Sequence, residues 1–103
     1  MAYKLIVTAH AEADVDEHIG YIVEELHNPK AASDLLDAIE KHYDQLEENP
    51  YIYAICQQTL LKVREYRKVI INGYIMIFRI DDEQQTVFIE RFFSRLEDYA
   101  SKL

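Results

Sequence analysis

Arginine is missing from the first 63 residues of this chain. All five copies, Arg64, Arg67, Arg79, Arg91 and Arg95, lie in the last 40. Glycine and proline are scarce, with two of each, so no flexible linker is present, and no internal repeat is visible. Residues 1–103 read as one domain, a length that buries roughly 60–70% of the unfolded surface. The one cysteine, Cys56, excludes an internal disulfide and fits a reducing compartment. Its neighbours Ala54 and Ile55 suit a packing thiol, since a reactive one needs a nearby cation. The opening MAYKLIVTAH lacks the apolar core of a signal peptide, and no run reaches the ~20 apolar residues of a membrane span. A soluble, cytoplasmic protein without a membrane partner is expected. No Gly-rich phosphate loop, nucleophile elbow or dinucleotide fingerprint occurs. The four histidines form no H-x-x-x-H pair and there is no cysteine pair, so neither a metal nor a cofactor is expected.

What is present is charge, unevenly placed. Residues 1–61 hold three lysines against twelve carboxylates, whereas residues 62–103 hold eight Lys/Arg against seven. The overall charge is −8 and the isoelectric point about 4.8. So acidic a chain is a poor non-specific binder of nucleic acid, and any such contact must be local. Arginine suits planar, bidentate contact with phosphate or carboxylate, and its confinement to one segment suggests a working face.

The order of elements follows from periodicity. Tyr3–Val7 reads as a short buried strand. A helix runs from about Ala11 to Leu26, with Thr8 as N-cap, Glu12 and Asp14 in the first turn, and an apolar stripe of Val15, Ile19, Ile22, Val23 and Leu26. His27-Asn28-Pro29 breaks it, with Asn28 capping a second helix that starts at Pro29 and stops before Pro50. A strand is predicted over Leu61–Ile71, a hairpin turn at Asn72-Gly73, and strands over Tyr74–Ile80 and Thr86–Phe93. Ser94 and Glu97 fit a capping box opening a short C-terminal helix that carries Tyr99. The expectation is an α+β domain, β-α-α-β-β-β-α, with an antiparallel sheet packed on the N-terminal helical hairpin.

Strand alternation sets Arg64, Tyr66, Lys68 and Ile70 on one face and Val63, Arg67, Val69 and Ile71 on the other. Arg79 and Arg91, both late in their strands, are expected to approach one end of the sheet. Two readings stand: cations converging on an anionic ligand, or ion pairs with Glu65, Glu90 and Glu97. Asp14 and His18, one turn apart, read as an exposed i,i+4 pair, and the carboxylates of the first helix as its solvated face. Tyr51, Tyr53, Tyr66 and Tyr74 read as core or rim. Tyr99 beside Arg95 is the tyrosine with functional prospects.

The whole chain resembles the RelE/ParE superfamily of toxins from bacterial type II toxin–antitoxin modules, also known as plasmid stabilisation proteins. The resemblance rests on YKLIVTAHAEADVDEHIGYIVEEL, on NPKAASDLLDAIEKHYDQLEENP closing at Asn-Pro, on REYRKVIINGYIMIFRID, and on VFIERFFSRLEDYASKL. It implies a toxin neutralised by a cognate antitoxin that wraps the sheet and the hairpin. RelE-like members cleave mRNA on the ribosome, ParE-like members poison DNA gyrase without nuclease chemistry, and some members only serve as their partner's corepressor. Ribosome-dependent mRNA cleavage is the leading expectation from this resemblance. It implies catalytic roles for Arg67, Arg79, Arg95 and Tyr99, and RNA- or partner-binding roles for Arg64, Lys68 and Arg91. The sequence departs from the RelE-like pattern after the last strand, where Phe92-Phe93-Ser94-Arg95 offers neither His nor Tyr.

Overall fold

The computed structural model describes residues 3–57, 62 and 64–94. Strand β1 is Lys4–Val7, helix α1 Ala9–Glu24, helix α2 Pro29–Glu48, and a short 3-10 helix spans Pro50–Ile52. Strands β2 (Arg67–Ile71), β3 (Tyr74–Asp81) and β4 (Thr86–Ser94) follow. The expected α+β order holds across the described residues. The expected C-terminal helix, with Arg95 and Tyr99, lies outside them.

Local chemistry explains the helix ends. The Thr8 hydroxyl accepts from the Ala11 N–H at 3.2 Å, and the Asn28 carboxamide oxygen accepts from the Ala31 N–H at 3.1 Å, with Pro29 in the first turn. Between them His27 takes a left-handed φ of 50°, and the Asn28 N–H reaches back to the Ile22 carbonyl at 3.1 Å. This closes α1 and reverses the chain into α2.

The sheet order is β1-β4-β3-β2. The last three strands form the expected antiparallel meander, and β1 joins it at the edge in parallel with β4, so the sheet is mixed. Asn72 and Gly73, at φ 47° and 86°, make the tight β2–β3 turn in the left-handed region. The strand predicted from Leu61 begins only at Arg67 among the described residues. Arg64 and Glu65 form a turn, with Glu65 at φ 57° and its N–H bonded to the Lys62 carbonyl at 3.0 Å. Such a turn cannot continue a strand.

One face of the sheet carries Val69, Ile71, Met76, Phe78, Val87, Ile89 and Phe92 against Ile22, Leu35, Ile39 and Leu46 of the helices. The other holds a smaller cluster of Cys56, Ile75, Ile77 and Phe93, with Tyr66 against it. Strand β3 is therefore apolar on both faces, as its unbroken run predicts. Ile77 and Phe78 pair with Arg91 and Ile89, so Glu90 is an extra residue, a bulge in β4.

Candidate functional site

The cations of the meander divide between the two faces. Arg67 opposes Phe78 and so points to the helix side. Its Nη1 donates to the Tyr53 carbonyl at 2.6 Å, and its guanidinium lies 5.0 Å from the centre of the Tyr51 ring. Arg79, the neighbour of Phe78 in β3, points to the opposite face. There it lies over the Phe88 ring at 4.2 Å and pairs with Glu90 at 3.7 Å. The outer face also carries Lys68, which opposes Ile77 from β2 as Arg91 does from β4. Lys68, Ile77 and Arg91 thus form one cross-strand row. Arg64 is exposed in the turn before β2.

Arg79 and Arg91 do not reach one end of the sheet by both being late in their strands, because β3 and β4 run antiparallel. Their cross-strand partners, Phe88 and Ile77, place them two positions apart along β3. The structure thus groups Lys68, Arg79 and Arg91 and separates Arg67 from them. Arg95 and Tyr99 lie outside the described residues.

Arg91 is also committed elsewhere. Strand β1 covers only Thr86–Ile89 of β4, so among the described residues no strand pairs with that edge of the second half of β4. Helix α1 fills that gap with Asp14. The carboxylate accepts Arg91 Nε at 2.7 Å, Arg91 Nη2 at 3.0 Å and the Phe92 N–H at 2.9 Å. Burial alone would raise the pKa of Asp14, but the Arg91 and Phe92 hydrogen bonds and the Arg91 and His18 charges outweigh it. The carboxyl is held below its ordinary value. The expectation of an exposed Asp14–His18 pair is therefore corrected: Asp14 turns to the sheet edge. His18 packs edge-on against Tyr74 and Phe92.

A second polar cluster lies on the helix side of Arg67, and sequence reading passed over it. His42 Nδ1 and the Tyr53 hydroxyl are 2.9 Å apart, and that hydroxyl donates to Gln45 Oε1 at 3.1 Å. Burial and the Lys41 charge push the His42 imidazole below its ordinary value, partly offset by Gln45. Burial raises the Tyr53 phenol. The Tyr51 phenol donates to Asp82, which with burial holds it well above the ordinary range, and Tyr3 donates to the same oxygen at 3.4 Å. The His42–Tyr53–Gln45 spacing could have signalled the first group only with knowledge that residues 51–53 turn back over α2. This acid/base-type pair and the cation row stand on opposite faces of the sheet.

Among the described residues, no group of three or more His, Cys, Asp or Glu is placed to hold a metal ion. None of their helices is long and apolar enough to cross a membrane. Residues 5–99 match the family described as "ParE toxin of type II toxin-antitoxin system, parDE". The chain is a member of the ParE toxin family. Its fold resembles that of a toxin-antitoxin structure titled "Chromosomal ParDE TA system from P. aeruginosa", at 20% identity and a TM-score of 0.71 over 90% of this chain and 96% of that one. It also resembles the structure of "the toxin-antitoxin complex RelBE2" from Mycobacterium tuberculosis, at 21% identity and a TM-score of 0.64 over 92% and 100%. At such identities the likeness speaks for the fold. No curated protein matches the sequence at a comparable level of significance. As a ParE family member, the chain is a toxin of the type II class.

Proposed function

We propose that this ParE family toxin acts in the cytoplasm by binding DNA gyrase rather than by cutting RNA, and that a cognate antitoxin holds it inactive. The observation that supports this reading is the split of the cations. Nuclease chemistry needs a base for the 2′-hydroxyl, cations for the phosphorane and an acid for the leaving oxygen, all within reach of one phosphate. Arg67 faces the helices while Arg79 faces away, and carboxylates from Glu90 and Asp14 already neutralise Arg79 and Arg91. A binding toxin needs no such convergence, only a complementary surface. The family match and the missing His or Tyr after β4 point the same way.

Ribosome-dependent mRNA cleavage is the second reading, favoured by one observation. Lys68, Arg79 and Arg91 share the outer face, and Arg95 follows directly on the end of β4. In that reading Arg95 and Tyr99 complete the site. Neither reading calls for a cofactor.

Pulse-labelling of DNA and protein synthesis after induction, with a supercoiling assay on purified gyrase, separates the two. The proposal expects early loss of DNA synthesis, inhibited supercoiling, and little effect of Arg79→Ala or Tyr99→Phe beyond folding. Early loss of protein synthesis, reversed about 10²–10⁴-fold by Tyr99→Phe, would establish nuclease action instead. Undisturbed growth with soluble chain accumulating would leave only a corepressor role.

A further inference from the structure

Residues 53–57 run beside the start of β2, and their attachment is uneven. At the Tyr53 end the segment is anchored in the fold. The Tyr53 ring meets Phe78 edge-on with centres 6.1 Å apart, and His42 and Gln45 of α2 hold its hydroxyl. Beyond Tyr53 the ties are few. Ile55 bridges Arg67, the Cys56 N–H donates to the Tyr66 carbonyl at 2.8 Å, and Ala54 and Gln57 are exposed. The Gln57 carboxamide donates to the Ile55 carbonyl at 3.0 Å, a bond inside the segment that does nothing to attach it. Cys56 is the one buried side chain of residues 54–57, tucked against Ile75, Ile77 and Phe93. A trough of about 550 Å³ already lies between this segment and Lys68 and Ile70 of β2. Arg67 stands where the anchored part ends. Its Nη1 donates to the Tyr53 carbonyl at 2.6 Å, its backbone carries the Ile55 bridge, and its guanidinium lies 5.0 Å from the centre of the Tyr51 ring. A segment with one small buried side chain and exposed neighbours belongs to the low-stability end of a fold.

We propose that residues 54–57 are a strap that opens as a unit about Tyr53, with Arg67 as its latch. Open, the strap withdraws Cys56 from the cluster on the outer face and bares the backbone of Tyr66 and Arg67 at the start of β2. Closed, it guards part of the outermost strand, since among the described residues no further strand lies outside β2. An edge left bare offers its unpaired N–H and C=O groups to another chain. Arg67 is then a positioning residue for the strap rather than a cation for a phosphate. Its guanidinium is spent on a carbonyl and a ring, both belonging to the anchored end.

Cys56, the one thiol of the chain, reports the opening directly. The purified full chain is labelled with a small aromatic disulfide reagent at rising urea, always well below the unfolding midpoint, and amide exchange is followed by NMR in parallel. Labelling of the parent is expected to be slow and nearly independent of urea, because a short strap exposes little surface, whereas passage through global unfolding carries the full denaturant slope. The Cys56 amide should report the same opening equilibrium as the thiol, and the Ile77 amide in the central strand should exchange far more slowly. Arg67→Ala removes a charge-assisted bond, so labelling should quicken about tenfold or more. Arg67→Lys keeps a donor for the Tyr53 carbonyl and should fall between the two. Ile39→Val, which lowers global stability through the core, should leave labelling within about twofold of the parent. Labelling with the full global slope, a rate unmoved by Arg67→Ala, or equal acceleration by Ile39→Val would overturn the proposal. The urea dependence of the parent decides by itself if Arg67→Ala fails to fold.

Discussion

Removing the Asp14 carboxylate should destabilise the fold far more than its place on an acidic helix suggests. Asp14→Ala leaves the Phe92 N–H without its acceptor and the Arg91 guanidinium without its partner at the open half of β4. Breaking a fully buried pair costs about 3–5 kcal/mol, but Arg91 and Asp14 keep 22% and 14% exposure, so about 2–3 kcal/mol is expected. At a urea slope of about 1–3 kcal/mol per molar, the unfolding midpoint should drop by about 0.7–3 M with the slope unchanged. Asp14→Asn keeps one acceptor oxygen and should lose about half as much. The pH dependence has a definite sign. The Asp14 pKa is depressed in the folded state, so its contribution is complete above the ordinary value of 3.8 and is lost as pH falls through the folded value. The gap between parent and Asp14→Asn should therefore be full at neutral pH and shrink below about pH 4. A ΔΔG for Asp14→Ala within about 0.5 kcal/mol of zero would class the residue as an ordinary surface acid and refute the argument.

Four further outcomes are expected. The His42 ring should titrate below its ordinary 6.5 by NMR, because burial and Lys41 disfavour the imidazolium; its neutral form supports the fold above that value, and support fades as pH falls toward the folded pKa. Tyr53→Phe, which removes the hydroxyl held by His42 and Gln45, should lower stability by about 1 kcal/mol in urea titration. Gly73→Ala should cost about 1 kcal/mol through its left-handed φ of 86° alone, since nothing lies near the added methyl. Cys56, 1% exposed and with its thiol pushed up by burial, should resist thiol reagents in the native state and react at once in urea.

Read alone, the chain determines whatever depends on near neighbours. Thr8 and Asn28-Pro29 mark the two helix starts, Asn72-Gly73 marks the hairpin, and the run from Tyr74 to Ile80 announces a strand buried on both sides. Each is a local signal, with donor, acceptor or steric limit within a few residues. The family likewise shows in the order of these segments. The tertiary structure alone decides which side chains meet across the sheet. A strand face reverses with every residue, so Arg67 and Arg79 part company through the register of β2 on β3, which no short motif encodes. The bulge at Glu90 resets that count within β4. Asp14 looks like one more solvated helix acid until the length of β1 is known. Because β1 stops opposite Ile89, the next N–H on that edge, at Phe92, needs an acceptor, and α1 brings Asp14 to it. His42, Tyr53 and Arg67 are neighbours only because the chain after α2 turns back over its own helix, a contact set by packing rather than by spacing.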